Sequence, residues 1–313
     1  MKLVVQIPCY NEAQTLPLVL RSIPKKIPGI DSIEVLVVDD GSTDKTVSVA
    51  KKLGVTQFVR HTHRGLGISF RRGVERALEL GADIVVNTDG DNQYPQERIP
   101  DLVQPILNGK ADIVIADRQT HKIAHFSPAK KLLQRVGSHI VNMAAGTDLP
   151  DAASGFRAYS RQALLELNTV TTFSYCMETI IQAGNKRLAI ASIPVDTNRK
   201  TRESRLFRST WEHVRKSGVT IVRAYIMYRP HVVFGSIGAL LFVLGGIPFA
   251  RFLYLTFADH GGHGHLQSMF LGLILLTGAF LCLVLDVIAD LIRINRVLIE
   301  QQLEHTKKMR FQK

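Results

Sequence analysis

Asn87-Thr88-Asp89-Gly90-Asp91-Asn92-Gln93 directly follows a short apolar run, and its Asp-x-Asp spacing offers two hard oxygen donors to a divalent cation. In an extended segment Asp89 and Asp91 point the same way, with Gln93 in phase. Such a set can meet an ion that also bridges a diphosphate, although a loop of solvated acids has the same composition. A second acidic turn, Asp39-Asp40-Gly41-Ser42-Thr43-Asp44, follows another apolar run. Ser42 could cap a following helix, but capping does not account for both Asp39 and Asp40. A carboxylate pair there can accept hydrogen bonds from a nucleoside's base or ribose hydroxyls. Pro8-Cys9-Tyr10-Asn11-Glu12 ends the first apolar run in the same manner, adding a ring and an amide.

These residues need a scaffold that brings strand ends together. Apolar runs at 3–7, 33–38, 57–60, 84–87 and 113–116 read as strands, and 12–23, 42–53, 67–80 and 95–107 carry helical periodicity between them. The alternation predicts an α/β domain with a mainly parallel sheet and helices on both faces. Ligands of such sheets sit beyond the carboxyl ends of the strands, where all three acidic turns fall. The following stretch is less regular: a helix over 128–145, a turn-rich 151–159 and a strand over 188–195 are expected.

The 313 residues carry a formal net charge of +12. Much of the basic charge crowds the stretch from Arg199 to Arg229 or follows Arg293, flanking two apolar stretches at 231–258 and 266–285. Each is long enough to cross a bilayer. Their basic flanks predict a two-helix hairpin with both soluble ends on the cytoplasmic side. The polar, glycine-rich 259–265 then joins the helices. Residues 206–229 mix apolar and basic side chains as an interfacial helix does, a pattern that a helix packed on the domain shares. No finger spacing or aromatic-interleaved basic surface points to nucleic acid. Cys9, Cys176 and Cys282 show no metal-ligand spacing, and the amino terminus does not read as a signal peptide.

Pro8-x-Tyr10-Asn11-Glu12, Asp39-Asp40-Gly41-Ser42-x-Asp44, Gly65-x-Gly67 with Gly73, Asp89-x-Asp91-x-Gln93 and Ser154-Gly155-Phe156-Arg157 stand in an order that resembles family 2 glycosyltransferases of GT-A fold. The subgroup most similar is dolichyl-phosphate mannose synthase with the bacterial polyprenyl-phosphate glycosyltransferases. The resemblance implies a GT-A (Rossmann-like) catalytic domain over 1–205, a juxtamembrane amphipathic region over 206–229, a transmembrane hairpin over 230–292 and a basic C-terminal helix over 293–313. It implies that Pro8, Tyr10, Glu12 and Asp40 hold the nucleoside with support from Asp39, and that Asp89, Asp91 and Gln93 hold Mg²⁺ or Mn²⁺. Arg118 matches an acceptor-phosphate arginine. Arg135 and Ser138 resemble its second acceptor contact, with Lys131 a rival, and Asp151 and Glu178 also occupy family positions. Arg199, Arg202 and Ser204 belong to a late loop in which Arg202 stands where the family has glycine. That leaves open an added phosphate-binding charge or a loop that closes differently, since glycine reaches backbone angles arginine resists.

The expected reaction is attack by a lipid-linked phosphate of a polyprenyl chain, undecaprenyl or dolichyl, on the anomeric carbon of a nucleotide sugar, with inversion. UDP-sugars are favoured slightly over GDP-mannose. Two other readings stand: transfer to a hydroxyl of a glycan or glycolipid, with Asp151 or Glu178 as base, and a membrane scaffold without catalysis. The amphipathic 291–311 could also pack on a second copy.

Overall fold

Leu3, Val4, Val5 and Ile7 are all fully buried, so the first strand is covered on both faces, as the central strand of a parallel sheet must be. The computed structural model describes residues 1–120, 128–170, 175–198, 218–219, 222, 225–258 and 266–311. Seven strands, β1 (Lys2–Cys9), β2 (Ser32–Asp39), β3 (Gln57–Arg60), β4 (Ile84–Asn87), β5 (Ile113–Asp117), β6 (Arg157–Ser160) and β7 (Ile190–Pro194), form one sheet in the order β3-β2-β1-β4-β6-β5-β7. Among the described residues seven α-helices accompany them: α1 (Leu16–Ser22), α2 (Thr46–Lys52), α3 (Leu66–Glu79), α4 (Ile99–Leu107), α5 (Pro128–Ala145), α6 (Arg161–Glu166) and α7 (Tyr175–Asn185). A core of Leu3, Val5, Ile7, Leu16, Val19, Ile84, Val86, Leu102 and Phe156 binds α1 and α4 to the sheet.

The chain leaves β1 toward β2 and β3, then returns to pair β4 on β1's other side. The carboxyl ends of β1 and β4 therefore flank a switch point, where a crevice opens. Strand β6 runs antiparallel to both neighbours, pairing Arg157 with Asn87 of β4 and with Ile115 of β5. Its start, rather than its end, lies on the edge where the parallel strands finish. That reversal carries the Ser154-Gly155 turn to the crevice.

The expected strands and α5 are present, while α1 and α2 start four residues later than their periodicity suggests. The residues before them are spent on side-chain bonds between loops. Ser42 does not cap α2; its hydroxyl accepts the Asn11 N–H at 2.9 Å instead. Strand β6 overlaps the end of the stretch expected as turns, and α6 and α7 were not expected.

The chain divides into two compact units, 1–221 with 300–313, and 222–299. Within the second, a π turn at His231–Gly235 leads into α8 (Ser236–Ala258), and α9 (Leu266–Arg310) follows. Both are long and apolar enough to cross a membrane. Their backbones approach closely through glycine: a Cβ on Gly245 would stand 2.9 Å from the Leu276 nitrogen, and one on Gly272 2.9 Å from that of Phe249. His231 bonds Asp286 at 2.9 Å and Asp290 at 3.1 Å in the same unit.

The stretch expected as a separate basic helix from 293 is the continuation of α9. Its last turns belong to the first unit. There Lys307 donates to the carbonyls of Leu164 and Leu167, Arg310 pairs with Glu79 at 2.9 Å, Arg161 reaches the Phe311 carbonyl, and Phe311 is buried. The 206–229 stretch lies mostly outside the described residues, and the 259–265 link wholly so.

Candidate functional site

Three loops meet where β1, β2 and β4 end. Those after β1 and β2 are laced together: Asn11 Oδ1 accepts the N–H groups of Thr43 at 2.8 Å and Asp44 at 3.2 Å, Asp44 accepts from Ala13 N at 3.1 Å, and Thr46 Oγ1 accepts from Glu12 N at 2.8 Å. Glu12 is buried and takes the Thr15 hydroxyl at 2.8 Å, which also lies 2.8 Å from the Gly90 carbonyl. The β1 loop thereby touches the Asp-x-Asp loop.

Asp39 accepts the Ser42 N–H at 3.0 Å and the Arg60 side chain at 3.3 Å. Asp40 works as a clamp. Its two oxygens accept the backbone N–H groups of Arg64 at 2.8 Å and Gly65 at 3.0 Å, and ring nitrogens of His61 and His63 lie 3.2 and 2.9 Å from the same carboxylate. This holds the loop before α3 against the end of β2. Gly41 is required there: its φ is +78° and an added Cβ would lie 2.7 Å from the His63 nitrogen. The His63 ring stacks on Tyr10, centroids 4.2 Å apart.

The Asp-x-Asp loop turns tightly after β4. Asp91 Oδ1 accepts the Gln93 N–H at 3.1 Å, Asn92 takes a left-handed φ of 62°, and Asp89, Asp91 and Gln93 are all partly accessible. Among the described residues no three His, Cys, Asp or Glu side chains gather as an all-protein metal cage. Two carboxylates and an amide at a strand end nevertheless fit Mg²⁺ or Mn²⁺, which keep water and take phosphate oxygens alongside one or two carboxylates. The surrounding field is negative: burial pushes the Cys9 thiol well up, and Glu12, Asp39, Asp89 and Asp44 push it further.

Behind Asp89 lies a polar network that sequence reasoning missed. Asn87 donates to the Tyr175 hydroxyl at 2.6 Å and to the Gly155 carbonyl at 3.1 Å; Tyr175 donates to that carbonyl, and Gly155 N–H donates to the Tyr94 hydroxyl at 3.0 Å. An added Cβ on Gly155 would stand 3.4 Å from both Asp89 oxygens, so this backbone backs the carboxylate. Arg157 is wholly buried and clamps the turn, donating to the carbonyls of Ala152, Ser154 and Cys176 and to Thr179. Asn198 donates from its backbone to the Gln93 carbonyl at 2.9 Å and from its amide to that of Asn92 at 3.1 Å. The root of the late loop is thus fixed to the metal-binding candidate. Arg199, Arg202 and Ser204 lie outside the described residues.

Arg118 and Asp151, expected in separate roles, form one ion pair. Arg118 Nε lies 2.6 Å and Nη2 2.9 Å from the two oxygens of Asp151, whose side chain is 2% exposed against 16% for the arginine. Burial works against each charge. The partner wins: Arg118 holds the Asp151 carboxyl below the usual carboxylate range and is itself held above the usual arginine value. Tyr94 feels both Arg118 and Asp89, which places the two ends of the crevice within electrostatic reach of one hydroxyl. The backbone is strained here too. Gln119, next to Arg118, has φ of 48°, so three of the four non-glycine left-handed residues described, with Asn11 and Asn92, sit on this edge.

Helix α5 faces the 147–152 turn with Ser138, which accepts Ala152 N–H at 3.2 Å, and Asn142, which bonds Leu149 and Thr147. Arg135 and Lys131 continue that face toward the helix start, spaced i−3 and i−7 from Ser138. Arg135 is exposed. Glu178 is buried one turn after Tyr175, its carboxylate taken by the Val170 N–H at 3.0 Å.

A match to the family described as glycosyl transferase family 2 covers residues 4–167, just over half of the chain. Undecaprenyl-phosphate mannosyltransferase of Micrococcus luteus is 30% identical over 206 residues, 62% of this chain and 83% of that protein. UDP-N-acetylglucosamine–dolichyl-phosphate N-acetylglucosaminyltransferase of Methanococcus voltae is 28% identical over 213 residues, 61% of this chain and 83% of that one. Among solved structures, glucosyl-3-phosphoglycerate synthase of Mycobacterium tuberculosis in complex with UDP superposes with a TM-score of 0.55 at 26% identity, covering 72% of this chain and 80% of that one. Crystals of the same enzyme also hold UDP beside Mn²⁺ or Mg²⁺. The fold is therefore GT-A, and the chain belongs to glycosyl transferase family 2.

Proposed function

We propose that this protein is a membrane-bound inverting glycosyltransferase that moves a hexose or N-acetylhexosamine from a nucleotide sugar, a UDP-sugar ahead of GDP-mannose, onto a polyprenyl phosphate. The observation that carries this reading is one sheet edge with a carboxylate pair at the end of β4 and a guanidinium at the end of β5. The former suits a metal-bridged diphosphate, the latter an anionic acceptor. With β6 between them the two strands lie about 10 Å apart, a span that suits a sugar between two phosphates. The names of the Micrococcus and Methanococcus relatives support the acceptor, and the UDP of the solved relative supports the donor.

Tyr10, Glu12, Asp39 and Asp40 line the nucleoside end in this reading, Tyr10 offering its ring once His63 yields the stacking position. Asp89, Asp91 and Gln93 would hold the metal, which supplies charge neutralisation of the departing nucleoside diphosphate. A phosphate monoester is already ionised near neutral pH, so the nucleophile needs no strong base. That agrees with Asp151 being engaged by Arg118 rather than poised to take a proton. Arg118, its fork oriented by Asp151, presents its remaining N–H groups to the acceptor phosphate, and Arg135 and Lys131 add charge from α5. Arg199, Arg202 and Ser204, rooted at Asn198, close over the donor. The hairpin spans the bilayer with both soluble ends cytoplasmic, a reading that the basic flanks support.

The test is a donor panel assayed with polyprenyl phosphate beside the matching polyprenol, in the presence of Mg²⁺ or Mn²⁺. Transfer to the phosphate alone is expected. Equal use of the alcohol would refute the acceptor assignment.

A further inference from the structure

Helix α5 is built inside out. Its inward side carries Ser138, Val141, Ala144 and Ala145, all buried, yet the opposite stripe holds Leu132, Val136, His139 and Met143 at i, i+4, i+7 and i+11. Leu132 is 60% exposed, Val136 46% and Met143 48%, with Leu133 beside them at 41%. Of the seven large apolar side chains that stand well exposed between residues 2 and 198 among those described, four are on this helix. A concentration of that kind on one element marks a surface that something covers.

Charge says what kind. The eighteen residues of α5 contain Lys130, Lys131 and Arg135 and no Asp or Glu. A second copy seated on this face by two-fold symmetry would bring like charges together. An anionic lipid surface complements both the apolar stripe and its basic edge, and the same chain carries two helices fit to cross a bilayer.

We propose that the outward face of α5 is a membrane-docking surface, with Leu132, Val136 and Met143 inserted at the headgroup–acyl boundary and Arg135, at the border of the two faces, among anionic headgroups. This deepens the lipid-acceptor reading and rests on it in one respect: docking brings Arg135 to the depth at which a lipid phosphate resides. It also makes α5 the route by which the acceptor's headgroup reaches Arg118.

The experiment uses the full chain with Cys282→Ala, Cys9 and Cys176 being buried. It is reconstituted in phosphatidylcholine–phosphatidylglycerol vesicles whose acyl chains carry nitroxide quenchers. An environment-sensitive fluorophore on Val136→Cys or Met143→Cys should lose its signal to the quencher, while one on Lys52→Cys, exposed on α2, should keep it. Labels at 136 and 143 as bright as the one at 52 would overturn the proposal. So would their cross-linking to a second copy or to another segment of the same chain. As a second measurement, Val136→Glu should raise KM for a long-chain membrane-resident acceptor about tenfold, as losing one apolar side chain's partition would, and leave KM for a short water-soluble acceptor unchanged. No change in either, or an equal change in both, counts against docking. Quenching is read without substrate: a quenched label in a protein that transfers nothing to lipid phosphate would sink the acceptor assignment and leave the docking intact.

Discussion

Replacing Arg118 by alanine should change the sign of the enzyme's acid response. In the wild type the Asp151 carboxyl is buried, and the Arg118 guanidinium, with the N–H groups of Arg118 and Ala153, holds it below its ordinary value. A depressed folded-state pKa contributes stability that is fully present above the unfolded value, about 3.9, and is lost as pH falls through the folded one. Without the guanidinium, burial becomes the leading influence on Asp151, and its pKa moves above the ordinary value. The sign then reverses: the variant is best off with a neutral carboxyl at low pH and loses stability as pH rises through the raised pKa. Removing one partner of a buried pair costs about 3–5 kcal/mol at neutral pH, because the other charge is left uncompensated. For a domain of this size that is roughly 6–20 °C in Tm. The assay is thermal unfolding of both proteins in detergent from pH 4 to 7. The gap should be widest at pH 7 and shrink toward pH 4. A gap independent of pH would show that Asp151 is not held ionised by Arg118, and the geometry argued for the acceptor end would fall with it.

Asp91→Asn should reduce transfer by at least about a hundredfold, with a matching loss on EDTA treatment, since it removes a charged oxygen donor from the divalent site; near wild-type turnover at unchanged metal occupancy would refute the metal assignment. Asn198→Ala should raise KM for the donor several-fold with Tm nearly unchanged, because the side-chain amide bonds it loses tie the root of the late loop to the Asn92 and Tyr94 carbonyls, while the backbone bond to Gln93 stays; equal loss of stability and affinity would make Asn198 merely structural. Gly41→Ala should cost at least about 1–2 kcal/mol, the left-handed penalty alone, read from unfolding and accompanied by weaker nucleotide binding. Reporters placed at 261–264 and at the carboxyl terminus should report opposite sides of the membrane; the same side would exclude a spanning hairpin.

The parallel part of the sheet was legible because buried strands read as apolar runs, and these runs lead into candidate site residues: Tyr10 after β1, Asp40 after β2, Asp89 after β4, Arg118 after β5. Strand β6 was not legible. Four residues, Arg-Ala-Tyr-Ser, are too few to show a period, and a leading arginine reads as solvent-facing, although this one is wholly buried on backbone carbonyls. The supporting network was equally hidden. Asn87, Tyr94, Gly155 and Tyr175 are scattered over nearly ninety positions, and nothing in their spacing foretells that they meet. The pairing of Arg118 with Asp151, 33 residues apart, likewise arises from β5 and the turn before β6 reaching one edge. The sequence pointed Arg118 at an acceptor phosphate and gave Asp151 a separate place; only the fold makes one hold the other.

The return of α9 to the first unit has a consequence for how the protein is made. Phe311, Lys307 and Arg310 fill or cap sites on α6 and at the end of α3, yet they leave the ribosome after both long apolar helices. A nascent chain that has emerged only as far as residue 221 holds all seven described strands and the described residues of the crevice, but the carbonyls of Leu164 and Leu167 still await their lysine. The first unit is therefore finished last, once the apolar helices exist, and a chain arrested or cleaved before residue 300 carries the candidate site residues on an incomplete body. Completion of that unit is tied to synthesis of the two apolar helices, an order of assembly written into the position of the last twelve described residues, Glu300–Phe311.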